Sequence, residues 1–122
     1  MSRRSFAAAA VVLSLALPAG AHHSHAQYDM TEYTRLEGTV AEFHLLNPHA
    51  WVYLSVEGSD GKPEIWALEA AGAGGLRGMG IGANTIRVGD SVSARCHQLL
   101  DGSNGCLLGY LTGADGVERL WD

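Results

Sequence analysis

Short segments in which apolar and polar residues alternate, separated by glycine-containing turns, dominate the chain after residue 33. In the clearest of them, Trp51, Tyr53 and Ser55 would lie on one face of a strand and the even-numbered apolar side chains on the other. Comparable segments occupy residues 34–43, 64–69, 92–97, 107–111 and 117–121. Each has the length of a strand, so the pattern predicts a mainly β domain.

The composition changes between residues 71 and 83, where glycine and alanine prevail. Leu76, Met79 and Ile81 are spaced there by about a helical turn or less, which predicts one short, weak helix because glycine disfavours helix interiors. The order of elements predicts a small, partly open barrel of the OB type with five to six strands and a helix between strands 3 and 4. A two-sheet β-sandwich is the alternative. Gly38 is expected to form a bulge in the first strand.

The N-terminus has the pattern of a signal peptide. Arg3 and Arg4 precede an apolar stretch at residues 7–17 that is shorter than the roughly 20 residues of a membrane-spanning helix. Pro18 and the small residues 19–21 follow, and they favour cleavage after Ala21. The paired arginines also match the twin-arginine export signal, and the general secretory route stays open. Both routes predict a periplasmic or secreted protein.

Three parts are thus expected: a signal peptide at residues 1–21, a histidine-rich arm at 22–33 and a barrel-like domain at 34–122. Removing the signal takes two of the 8 basic residues and none of the 13 acidic ones, so the formal charge changes from −5 to −7. Nucleic acid and anionic membranes bind mainly through Lys and Arg, so neither is an expected partner. After cleavage no membrane span is predicted.

The two cysteines are predicted to form a disulfide, because exported proteins mature in an oxidising compartment. Cys96 and Cys106 flank the turn-rich residues 101–105, and a hairpin would bring them together. A Cys96–His97 metal pair is the weaker alternative, since neighbouring strand residues point to opposite faces.

Clustered histidines would begin the mature chain. Cleavage after Ala21 makes His22 a ligand through its amine and imidazole, whereas cleavage after Gly20 puts His23 third, which suits square-planar Cu(II). With His25, these nitrogen donors favour copper, although zinc or nickel fit nearly as well. The alternative is a solvated tail with no metal.

His49 is the best candidate for a ligand held by the fold, because Asn47-Pro48-His49 stiffens the start of the second strand and would place the imidazole at the barrel rim. A turn histidine bonded to backbone is the alternative. His44 and His97 are expected on solvent-facing strand surfaces, as are acidic residues such as Glu42 and Glu69.

Catalytic signatures are missing from the sequence: it has no Gly-x-Ser-x-Gly, P-loop or His-Glu-x-x-His pattern. We therefore predict no catalytic residue and expect binding rather than catalysis. Trp51 and Tyr53 are expected either to pack at the barrel or to form a ligand face.

Several motifs together resemble a family of small exported bacterial proteins that is known only as a domain of unknown function. The resembling segments are His22-His23-Ser24, Leu36-Glu37-Gly38-Thr39-Val40, Asn47-Pro48-His49-Ala50-Trp51, Val88-Gly89-Asp90 and Leu100-Asp101-Gly102. The resemblance implies a compact β-barrel-like domain and no activity. Members commonly follow His-His-Ser with Phe, whereas this chain has His25.

Three functions are compatible with these features. The first is a periplasmic metal-binding protein that holds copper through His22, His23, His25 and His49. The second is a non-enzymatic module that binds a periplasmic protein or a small ligand, and the third is a copper-dependent redox enzyme.

Overall fold

Six strands and one short helix follow one another in the predicted order. The computed structural model describes residues 25–122. Its elements are a 3-10 turn at His25–Gln27, β1 (Thr34–His44), β2 (Ala50–Glu57), β3 (Pro63–Ala70), α1 (Ala73–Gly78), β4 (Ser91–Gln98), β5 (Gly105–Thr112) and β6 (Glu118–Leu120). The signal peptide, His22 and His23 lie outside these residues. Within the described part, no helix is long and apolar enough to cross a membrane.

The first five strands close into a barrel. Strand β1 pairs antiparallel with β2 and β4, β2 pairs with β3, and β4 pairs with β5. A short parallel pairing between β3 and β5, from Ala67–Gly105 to Glu69–Leu107, completes the ring. Strand β6 pairs antiparallel with residues 110–112 of β5, beyond the part of β5 that pairs with β3. The helix lies between β3 and β4, so the predicted OB-type barrel is confirmed.

The barrel interior is filled by the apolar side of each alternating strand. Val52 and Leu54 of β2 are fully buried, and Trp66 and Leu68 of β3 face the same core, as predicted. Burying a side chain of this size stabilises a fold by about 1.5–3 kcal/mol. Leu76 of α1 covers one end of the core, which explains why so short and glycine-rich a helix forms.

Gly38 does not form the predicted bulge. It pairs regularly with Val92, and the shift in register lies between Val40 and Glu42. A Cβ atom at Gly38 would lie 2.5 Å from the carbonyl oxygen of Ser55, so glycine here permits a close approach of two backbones.

The predicted disulfide joins Cys96 of β4 to Cys106 of β5 across a Cα–Cα distance of 5.5 Å. Both residues are completely buried. Because Cys96 is bonded to Cys106, it cannot form a metal pair with His97, whose Nδ1 lies 2.7 Å from the carbonyl oxygen of Glu32.

Replacing both cysteines by alanine should lower the free energy of unfolding by about 2–3 kcal/mol, because the crosslink closes a loop of this length in the unfolded chain. Urea denaturation of the oxidised wild type and the double variant measures the difference. A double variant within about 0.5 kcal/mol of wild type would contradict the expectation, since surface substitutions commonly have effects of that size.

Candidate functional site

The loop between β1 and β2 holds His49 at the barrel rim. The peptide bond between Asn47 and Pro48 is cis. Ala73 donates its backbone N–H to the carbonyl oxygen of Leu46 at 2.9 Å, and the N–H of Gly74 lies 3.3 Å from Asn47 Oδ1. These two hydrogen bonds attach the β1–β2 loop to the start of α1 and fix the backbone that leads into His49.

Gly72 makes that contact possible. A Cβ atom at this position would lie 2.5 Å from the carbonyl oxygen of Pro48 and 2.7 Å from Asn47 Oδ1. Any larger residue would therefore push the loop away from the β3–α1 junction.

Glu69 is the partner of His49. It lies near the end of β3, opposite Trp51 in the strand pairing, on the outer face of the barrel. Its Oε1 is 2.5 Å from His49 Nδ1. The expectation that Glu69 faces solvent is wrong, since only 9% of the residue is exposed. The segment before β1 and the β1–β2 loop both contact the carboxylate of Glu69 and cover it.

Tyr28, in the segment before β1, binds the other oxygen of the same carboxylate. Its phenol donates a hydrogen bond of 2.5 Å to Glu69 Oε2, and the residue is 5% exposed. Burial, followed by this hydrogen bond, raises the pKa of Tyr28 to about 12. Tyr28 is therefore a neutral donor at physiological pH, and Glu69 connects it to His49.

A carboxylate beside Nδ1 orients an imidazole and selects the form in which Nε2 is the reactive nitrogen. Such a histidine can serve as a metal ligand or as a general base. The site opens to a pocket of about 350 Å3, lined by Leu46, Asn47, Pro48, His49, Trp51 and Glu69. The pocket is thus apolar at its walls and polar where His49 meets Glu69.

The predicted ligand face continues from this pocket along β2. The rings of Trp51 and Tyr53 are nearly parallel, with centroids 6.5 Å apart, and both residues are half-buried. His44 packs edge-on against Tyr53, and its Nε2 lies 2.8 Å from Glu42 Oε2. His44 is exposed, as expected, and its contact with Glu42 is a solvent-facing counterpart of the His49–Glu69 contact.

The predicted metal ligands are only partly described. His49 lies in the site, and His25 lies in the 3-10 turn three residues before Tyr28. Among residues 25–122, no three His, Cys, Asp or Glu side chains are grouped so as to hold a metal ion. Of the predicted metal ligands, the described barrel contains His49.

Tyr28 and Glu69 are the site residues that the sequence analysis missed. The hydrogen bond between Tyr28 and Glu69 joins two residues that are 41 positions apart in the sequence. Strand alternation correctly places Glu69 on the outer face, but it carries no signal for what covers that face.

The raised pKa of Tyr28 makes a testable prediction. In a titration of phenolate absorbance, one tyrosine should ionise with a pKa of about 12, and Tyr28→Phe should remove that component. The neutral phenol is favoured in the folded protein, so its stabilising contribution should be complete below pH 10 and be lost as the pH rises through about 12.

Tyr33→Phe is the matched control, since it removes a tyrosine hydroxyl from an exposed residue. A component near 12 that survives in Tyr28→Phe would contradict the assignment.

Comparison with known proteins confirms that the chain resembles a family of unknown function. No curated protein and no solved structure gives a significant match. Residues 9–108 match a family of unknown function, DUF6152, which takes in most of the chain, including β1 to β4, α1 and the His49–Glu69 pair. The chain belongs to the DUF6152 family.

Proposed function

We propose that this is a periplasmic metal-binding protein, with copper as the first candidate and His22, His23, His25 and His49 as ligands. One observation carries the proposal: Glu69 contacts Nδ1 of His49 and accepts a hydrogen bond from Tyr28 of the histidine-rich arm. An imidazole oriented by the fold and an arm rich in histidine thus meet at one carboxylate.

The His49–Glu69 pair has the chemistry of a metal ligand with its outer partner. Metal-binding histidines commonly direct their second ring nitrogen at a carboxylate, which fixes the ring and increases its basicity. With Nδ1 beside Glu69, the ligating atom of His49 would be Nε2. Zinc and nickel share this preference for imidazole, and copper stands highest in the divalent affinity order.

The arm would supply the remaining nitrogen donors. His25 lies three positions after His22 in the sequence, a span of roughly 10 Å when the chain is extended. Tyr28 brings the C-terminal part of the arm to Glu69, the same carboxylate that contacts His49. A terminal amine at His22 would add a further donor.

The acidic charge of the expected mature chain and its disulfide both agree with this proposal. The expected mature chain has a formal charge of −7, and an acidic surface attracts cations. The buried Cys96–Cys106 disulfide suits an oxidising compartment, where Cu(II) is also stable against thiol reduction.

Protein purified from the periplasm should start at His22 or Ala21 and bind about one Cu(II) per chain. His49→Ala should weaken that binding at least tenfold, because it removes a ligand, whereas His44→Ala should leave it unchanged. Intact-mass analysis reports the N-terminus, and competition titration reports the affinity. A wild-type chain that takes up neither copper, zinc nor nickel tightly would end the proposal.

Glu69→Gln should lower the copper affinity by about 10- to 100-fold without removing a proposed ligand, since it takes the charge from behind the imidazole. Glu42→Gln is the matched control, because Glu42 forms the same kind of contact with His44 on an exposed surface. Equal affinities of the two variants would show that the carboxylate beside His49 has no special role.

A binding module for a small ligand is the second candidate, favoured by the near-parallel rings of Trp51 and Tyr53 beside the pocket. On this alternative the histidines of the arm are incidental. A chain that begins at residue 25 would then bind the ligand as well as the full mature chain, and Trp51→Ala would abolish binding.

A further inference from the structure

The pocket beside His49 combines apolar walls with one carboxylate. Its volume of about 350 Å3 is near the lower end of the range for ligand pockets, so it fits a small molecule. Leu46 and Pro48 of the β1–β2 loop and Trp51 of β2 form its apolar part. Of the described residues that line it, Glu69 is the one with a carboxylate, and none is Lys or Arg. The pocket therefore disfavours anions and favours a small cation with an apolar surface.

The existing contacts of Glu69 narrow the kind of cation. Its Oε2 accepts the hydrogen bond from Tyr28, its Oε1 contacts His49 Nδ1, and only 12% of its side chain is exposed. A cation with N–H donors would lose water in the pocket without gaining this carboxylate as a close hydrogen-bond partner. A quaternary ammonium has no N–H group, so it keeps the electrostatic attraction and avoids that cost.

Trp51 adds an aromatic surface to the same pocket. A cation within about 6 Å of the centroid of an indole ring is attracted by the ring, and Trp is the most favourable aromatic side chain in this respect. Trp51 is half-buried, and it lies opposite Glu69 in the pairing of β2 with β3. The ring of Tyr53 follows on the same face at 6.5 Å. An aromatic surface and a carboxylate thus lie side by side on neighbouring strands.

We infer that this pocket binds a small quaternary ammonium compound, with the positive charge between Trp51 and Glu69 and the N-methyl groups against the β1–β2 loop. The inference rests on the second candidate function, a module for a small ligand, and it requires no bound metal. Tyr28 and His49 contribute by holding the carboxylate of Glu69 in place.

The test uses the metal-free protein at about pH 8, where an imidazole is normally neutral, and choline as the probe. The matched control ligand is the neutral carbon analogue of choline, in which a tert-butyl group replaces the trimethylammonium group. In NMR titrations, choline should bind at least tenfold more tightly than its carbon analogue, with shifts concentrated at Trp51 and the β1–β2 loop.

Variants connect this preference for charge with the two side chains. Trp51→Leu and Glu69→Gln should each lower the ratio of the two affinities at least fivefold, whereas Trp51→Phe should keep most of it because it keeps an aromatic ring. Glu42→Gln is the matched control for the carboxylate, since Glu42 is exposed and does not line the pocket. Both ligands are measured on the same variant, so a partial loss of folded protein leaves the ratio unchanged.

The outcomes separate this inference from the functions proposed above. If the carbon analogue binds at Trp51 as tightly as choline does, the small-ligand module stands and the ammonium site is wrong. If neither ligand shifts the resonances of Trp51, the ammonium site is also wrong, and metal uptake is unaffected by that result. Tighter binding of ethanolamine than of choline would assign the pocket to N–H donors and overturn the inference.

Discussion

The parallel pairing of β3 with β5 is the constraint on which the rest of the molecule depends. It covers only three residue pairs, from Ala67–Gly105 to Glu69–Leu107, yet it turns an open sheet into a barrel. Parallel strands need long connections, and here that connection contains α1, β4 and the β4–β5 hairpin. Closure therefore places Glu69 next to the hairpin that carries the arm.

The same closure explains how a carboxylate can be buried at the barrel rim. A charged group loses hydration when it is covered, and it stays charged only if hydrogen-bond donors or cations replace the lost water. Glu69 accepts a hydrogen bond from the phenol of Tyr28 and contacts the imidazole of His49. These two partners come from segments on opposite sides of β3, so the carboxylate has both of its contacts only when both segments have folded against the barrel.

The architecture could be predicted from the sequence because its signals are local. Alternation, turn residues and the glycine-rich interruption indicated the strands and the helix, and the spacing of Cys96 and Cys106 indicated their bond. Local signals failed at Gly38, where the need for glycine comes from the approach of Ser55 in the neighbouring strand. They also failed at Glu69 and Tyr28, because a residue's partners across a barrel depend on closure. The placement of His49 at the start of β2 was predictable because it depends on its own loop.

The complete burial of Cys96 and Cys106 has a consequence for the maturation of the protein. Thiol–disulfide exchange requires the attacking thiolate to reach a sulfur atom. In the closed barrel neither sulfur is accessible, so an oxidant must act while the β4–β5 hairpin is still open, and a later reductant must wait for local unfolding. Once the strands have closed over the disulfide, its redox state no longer follows changes in the surrounding thiols, because no thiolate can reach it.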